Sequence, residues 1–244
     1  MTIDLERIKL VAEHWKAEEV LAWVFATYGD NVELATGLGV EGMALLDVAH
    51  RMNPRVKVFT GDTEFLFPET YDLIDRVEEK YGIKIERLYS DLTPEDQERL
   101  YGKALWERDP DQCCNLRKVE PLRRKLSTLD AWMTAIRRDQ TRNRATIRKV
   151  DWDAKFNLVK ISPLSDWRRE SVWRYVVKHN VPYNPLHDRN YPSIGCTHCT
   201  RAVQPGEDAR AGRWSGFRKT ECGLHTAAQP NTELVQLTAS VEGD

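Results

Sequence analysis

Apolar residues recur at helical spacing over residues 3–28 (Ile3, Leu5, Ile8, Val11 and Ala12, then Val20, Leu21, Trp23 and Val24), which predicts two short helices. Three β-rich runs follow, each ending in turn or helix-start chemistry. Residues 32–36 lead into Gly37-Leu38-Gly39 and a helical stretch over 41–51. Residues 56–60 run into Gly61-Asp62-Thr63, and Pro68 opens a helix that reaches Tyr81. Residues 83–88 precede Thr93-Pro94-Glu95, a helix-start signal. Residues 131–136 and 156–161 read as two further strands. Strand–helix alternation at this spacing predicts an α/β fold with a doubly wound, mainly parallel sheet. From Asp188 onward glycines, prolines and charges displace the periodic pattern. The expected organisation is one domain over residues 1–225, with a mobile functional tail at 200–225 and disorder over 226–244.

Composition narrows the class without naming it. At 244 residues and 41% hydrophobic content the chain can bury one sizeable core. A formal net charge of −2 gives no global field for nucleic acid or anionic lipid. No run of apolar residues is long enough to cross a membrane, and the acidic, amphipathic start is unlike a secretory signal. A cytoplasmic location, where thiols stay reduced, is the expectation.

The cysteines change the picture most. Cys113 and Cys114 are adjacent, Cys196 and Cys199 form a C-x-x-C pair, and Cys222 stands alone in Glu221-Cys222-Gly223-Leu224-His225. Four paired thiols can close a metal site, leaving a fifth as a reactive thiol; buried structural cysteines are the plain alternative. Adjacent cysteines make no zinc knuckle, whereas a cuboidal iron–sulfur cluster offers two iron atoms at a suitable spread. Spacing favours the cluster and leaves zinc open.

Thr36-Gly37-Leu38-Gly39-Val40-Glu41-Gly42 joins the first strand to a helix, where backbone N–H groups and the helix dipole favour an anion. Such a turn is also often merely structural. Residues 131–136 end in Arg137-Arg138-Asp139-Gln140, at the strand end where open α/β sheets bind ligands. Arg137 and Arg138 could clamp phosphate or sulfate; Arg142, Arg144 and Arg148 read more simply as a solvated basic loop. Arg210 and Arg213 precede the lone cysteine and are an anion clamp or surface charges. His225 could tune the Cys222 thiolate, whereas His179, His187 and His198 read as surface or supporting residues.

Taken together, these segments resemble the assimilatory adenylyl-sulfate / phosphoadenylyl-sulfate reductase family, in its cluster-bearing adenylyl-sulfate (APS) branch. The likeness runs over residues 36–225. It rests on the turn at 36–41, Asp62-Thr63 with Leu66-Phe67-Pro68-Glu69-Thr70-Tyr71, Cys113-Cys114 with Arg117-Lys118, Arg137-Arg138-Asp139-Gln140, Cys196-x-x-Cys199, Arg210 with Arg213, and the E-C-G-L-H segment. Three departures stand out: Gly37 and Gly42 replace a serine and an aspartate, Glu64 replaces a glycine, and Ala135 replaces another.

The resemblance implies an adenine nucleotide alpha hydrolase-like fold, a [4Fe–4S] cluster on Cys113, Cys114, Cys196 and Cys199, and thioredoxin (or glutaredoxin) as reductant. It implies Cys222 as nucleophile, assisted by Lys118, Arg210, Arg213 and His225. Thr36, Gly37, Leu38, Gly39, Glu41, Asp62, Thr63, Arg137, Arg138, Gln140 and Arg144 would hold the substrate. The implied reaction is reduction of APS to sulfite and AMP in sulfate assimilation and cysteine biosynthesis, with no nucleic acid or membrane partner and a homo-oligomer compatible. A reductase of phosphoadenylyl sulfate (PAPS), or of both substrates, is the near alternative, although that branch lacks the paired cysteines. A tRNA-thiolating, nucleotide-activating enzyme is more distant, because it needs an intact pyrophosphate loop and usually a basic surface.

Overall fold

A computed structural model describes residues 4–224 of the chain. Six strands form one sheet: β1 Val32–Ala35, β2 Val58–Gly61, β3 Ile85–Leu88, β4 Ala131–Thr134, β5 Val150–Asp153 and β6 Leu158–Ile161. Their order is β3-β2-β1-β4-β6-β5. All neighbours run parallel except β5, which pairs antiparallel with β6. The predicted strands thus occur, each shortened at an end. β5 is the addition: its Val-Asp-Trp-Asp sequence has too few apolar positions to register, and the hairpin to β6 supplies the pairing. Asn157 makes that turn at φ 59°.

The helices are α1 Leu5–Val11, α2 Ala17–Tyr28, α3 Val40–Met52, α4 Pro68–Tyr81, α5 Pro94–Tyr101, α6 Leu105–Arg108, α7 Pro110–Cys114, α8 Glu120–Leu126 and α9 Arg169–Lys178. A π-helical turn, Asn115–Val119, joins α7 to α8. The first two answer the predicted N-terminal pair, and α3 and α4 the two predicted crossovers. α4 starts on Pro68 and ends at Gly82, which takes φ 64° as a left-handed C-cap. α3 buries residues around its whole circumference, including Met43, Leu45, Leu46 and Val48, because it lies between the sheet and α9. Truncating Leu45 or Leu46 to Ala there costs about 2–5 kcal/mol.

Crossovers leave β1 toward β2 on one side, whereas β4 lies on the other. The sheet order therefore reverses between β1 and β4, which opens a crevice beyond their C-terminal ends. No described helix is long and apolar enough to cross a membrane.

Residues 200–224, expected to be mobile, are docked on the body in this structure. Thr200 bridges to Arg213, Trp214 N donates to Cys199 O at 3.1 Å, and Lys155 Nζ donates to Gly223 O at 2.6 Å. His225 and the expected disorder over 226–244 lie outside the described residues.

Candidate active site

The crevice at the sheet reversal holds a cavity of about 540 Å³. One wall is the turn from β1 into α3. Thr36 N donates to Phe59 O at 3.0 Å, and its hydroxyl accepts from Leu38 N at 3.0 Å, so the loop folds back on itself with Leu38 at φ 58°. Gly42 suits that fold: a Cβ there would come within 2.3 Å of Thr36 Oγ1, and the hydroxyl would have to move off its bond to Leu38 N. The departure at position 42 is thus matched to its neighbour. Glu64 likewise takes φ 60°, a conformation that favours glycine. Its carboxylate pairs with Arg117 at 2.6 Å, which gives the side chain a reason to be there.

Arg137 extends this wall from beyond β4, only 4% exposed. Its guanidinium donates to Glu41 Oε1 at 3.1 Å and also pairs with Asp139. Gln140 lines the cavity, and its side-chain oxygen accepts from Arg137 N at 3.0 Å and from Arg144. Thr36, Gly37, Leu38, Gly39, Glu41, Thr63, Arg137, Gln140 and Arg144 all border the cavity.

Two expected substrate contacts do not. Arg138 turns away, donating to Ile147 O at 2.7 Å and pairing with Glu13, so it ties the N-terminal helices to the loop after β4. Asp62 is buried beneath the next loop, where it accepts from Tyr71 Oη and Glu64 N, each at 2.9 Å. Asp62 shapes the turn that leads to Thr63.

Lys118, Gly195, Arg210, Arg213 and Cys222 form another part of the lining, and the paired thiols lie close to Lys118 without bordering the cavity. Cys113 and Cys114 end α7, both buried, and the π-helical turn directly after them places Arg117 inward and Lys118 on the cavity. Leu66 bridges to Cys196, Thr63 Oγ1 lies 3.2 Å from Cys196 Sγ, and Cys199 N donates to Cys196 O at 3.1 Å. The charges of Cys114, Cys196 and Cys199 all act on Cys113, so the two pairs lie close together. Burial, followed by the charges of Cys114, Cys196 and Cys199, pushes the Cys113 thiol up to about 12. Burial and Cys196 push Cys199 up to about 11. Burial also opposes ionisation of Cys196, but Lys118 and the Thr63 hydroxyl outweigh it and hold that thiol below its ordinary value. Burial alone would lower the Lys118 ammonium; the thiolates of Cys196 and Cys114 more than reverse this, while Arg213 acts against them. Among the described residues no group of three or more His, Cys, Asp or Glu is gathered so as to hold a single metal ion.

Cys222 stands apart from these four, half-buried, and faces the cavity together with Lys118, Arg210 and Arg213. Arg213 packs 4.5 Å from the Trp214 ring centroid and donates to Ile194 O at 3.1 Å. Gly195 is what lets it in, because a Cβ there would lie 2.3 Å from Arg213 Nη2. Arg210 donates to Thr220 O at 3.0 Å and to Ser193 Oγ at 3.3 Å. Buried Nε atoms of both arginines have no hydrogen-bond partner among the described residues.

Sequence reading missed residues 193–195, which orient both arginines; Ser-Ile-Gly just ahead of Cys196 was the available signal. It also missed Gln97, whose side chain accepts from buried Arg117 at 2.7 Å behind Cys113. Nothing in the α5 sequence pointed to that contact.

The phosphoadenosine phosphosulfate reductase domain matches residues 31–202. The chain is 46% identical over 224 residues to the adenosine 5'-phosphosulfate reductase of Halalkalibacterium halodurans, covering 91% of this chain and 97% of the relative. Against adenosine 5'-phosphosulfate reductase 2 of Bacillus subtilis it is 47% identical over 208 residues, covering 85% and 88%. Among solved structures, the phosphoadenylyl-sulfate reductase of Candida auris in a phosphate complex superposes with a TM-score of 0.73 at 28% identity, covering 82% of this chain and 99% of that one. An FMN adenylyltransferase of Candida glabrata shares the fold alone, with a TM-score of 0.56 at 11% identity, covering 96% of this chain and 81% of that one.

Proposed function

The chain belongs to the phosphoadenosine phosphosulfate reductase domain family, and from that premise we propose that it is an oxidoreductase that reduces adenylyl sulfate to sulfite and AMP in sulfate assimilation. Relatives at 46–47% identity bear the name adenosine 5'-phosphosulfate reductase, which supports APS over PAPS. The observation that carries the mechanism is the position of Cys222: it is separate from the four paired thiols, yet shares a cavity with Lys118, Arg210, Arg213 and the β1–α3 turn.

The AMP part would lie against the β1–α3 turn, where backbone N–H groups and the start of α3 favour an anion. The sulfo group would then point to the wall of Lys118 and Arg213. Cys222 Sγ attacks the sulfo sulfur, an S–S bond forms, and the S–O bond to AMP breaks with its electron pair leaving on the phosphate. Attack by one anion on another is opposed by charge repulsion, which the fixed cations offset. A thiol of the reductant, a thioredoxin or glutaredoxin, next attacks Cys222 Sγ and expels sulfite. The reductant's second thiol closes its own disulfide and frees Cys222, so both electrons come from the dithiol.

Cys113, Cys114, Cys196 and Cys199 would hold a [4Fe–4S] cluster. The chemistry of the donor set fits one: four thiols, three of them buried, whose mutual charge is costly as bare thiolates and would be partly offset by iron, with Lys118 nearby to balance the remainder. When bound, the cluster would supply a fixed charged centre beside Lys118. A cytoplasmic location accords with thiols that must stay reduced.

Two measurements test this. Mixing the protein with APS without reductant should add a sulfo group to Cys222, seen by peptide mass mapping, and release AMP in a single-turnover burst. An adduct on another cysteine removes Cys222 from the mechanism. Anaerobically purified protein should be brown, with iron and sulfide that fall when any of the four paired cysteines becomes Ser; colourless, active zinc protein would overturn the cluster.

A further inference from the structure

Glu221, one residue before the nucleophile, is only 7% exposed, and so is Arg144. Arg144 grips it as a fork: Nε donates to Oε1 at 2.9 Å and Nη2 to Oε2 at 2.6 Å. Thr141 Oγ1 adds a donor at 3.2 Å, and Arg210 Nη2 approaches Oε2 at 3.5 Å. The third guanidinium nitrogen of Arg144 donates to Gln140. The carboxylate-binding face of Arg144 is therefore filled by the protein's own carboxylate rather than turned to an incoming anion. A bidentate arginine–carboxylate pair fixes orientation as well as distance.

The contacts on either side fit the same role. Lys219 pairs with Asp111 on α7, and Lys155 holds Gly223 O. Gly223 turns the chain at φ 86° between that hold and Cys222. Cys222 is thus suspended between clamps, of which the Glu221–Arg144 pair is the buried one. We infer that Glu221 and Arg144 are positioning residues that lock the C-terminal segment so that Cys222 Sγ faces the cavity, and that Arg144 serves the nucleophile rather than the nucleotide.

This inference rests on Cys222 being the nucleophile, and it can be read with and without the reaction. The experiment compares wild type with Glu221→Gln, Glu221→Ala, Arg144→Ala and the Glu221→Ala/Arg144→Ala double variant. Three quantities are read: the single-turnover rate of Cys222 adduct formation with APS, the dissociation constant of AMP, and the rate at which iodoacetamide alkylates Cys222 without substrate. Each single variant should slow adduct formation about 10–100-fold, the scale of losing a near-attack geometry. AMP affinity should stay unchanged, and alkylation should become faster as the segment detaches. The double variant should be no slower than the slower single one, because both remove a single contact. Glu221→Gln, which keeps the side-chain shape, guards against misfolding; its far-UV spectrum and melting curve should match wild type. Weakened AMP binding in Arg144→Ala alongside a normal adduct rate in Glu221→Ala would overturn the proposal and make Arg144 a substrate ligand. If wild type itself forms no adduct with APS, the proposed reaction fails, and unchanged alkylation in all variants is then the result that sinks the lock.

Discussion

The two walls of the cavity treat their cations in opposite ways. Along the β1–α3 and β4 side Arg137 lies between Glu41 and Asp139, and behind that wall Arg138 pairs with Glu13. Along the thiol side, neither Lys118 nor Arg213 has a carboxylate partner among the described residues, and the two cations work against each other. On the first wall Arg137 is matched by carboxylates, and the turn after β1 offers shape and backbone donors. The second keeps Lys118 and Arg213 clear of carboxylates beside Cys222, with thiols as the groups that face Lys118 and with Arg210 alone reaching Glu221, so cations stand where an anionic sulfo group and a leaving phosphate would need them. Counting arginines in the sequence gives both walls equal weight, whereas pairing separates them.

Breaking this contrast should have graded effects on adduct formation. Cys222→Ser should abolish the adduct altogether while leaving iron content intact, since Cys222 is not among the four grouped thiols. Lys118→Ala or Arg213→Ala should follow, slowing the single-turnover step by about 10²–10³, the range for losing one preorganised donor. Their AMP affinity should change far less than their rate, and a normal rate in either would return that residue to a packing role.

Arg137→Ala should act mainly on stability. Removing the buried guanidinium should cost about 1–3 kcal/mol, because part-buried Glu41 would be left without its cation while exposed Asp139 turns to water. Chemical denaturation should show that loss, with the adduct rate of the folded fraction falling less than in Lys118→Ala; the reverse ranking would erase the difference between the walls. Arg138→Ala should have the smallest effect. It is partly exposed and outside the cavity, so stability should fall by no more than about 1 kcal/mol and AMP titrations should overlay wild type.

Much of this molecule was written in its sequence. The 3.6- and 2-residue periods marked α1 to α4 and five of six strands, because apolar spacing reports directly on which face is buried. Cysteine spacing, the glycine-containing turn after β1 and the E-C-G-L-H segment named the chemistry, since few other roles need those residue types in that order. β5 escaped because an edge strand half exposed to water carries little apolar signal, and its pairing depends on a partner strand.

What only the tertiary structure decided is which charges remain free. Arg137, Arg138, Arg144, Arg210 and Arg213 look alike in sequence, but their roles depend on partners between 2 and 125 positions away, such as Asp139 beside Arg137 and Glu13 against Arg138. Local pattern records burial and turn chemistry. Electrostatic pairing is set by distance in space: the order of the sheet brings Glu41 to Arg137, and the docking of the C-terminal segment brings Glu221 to Arg144 and Cys222 to the cavity that Lys118 lines.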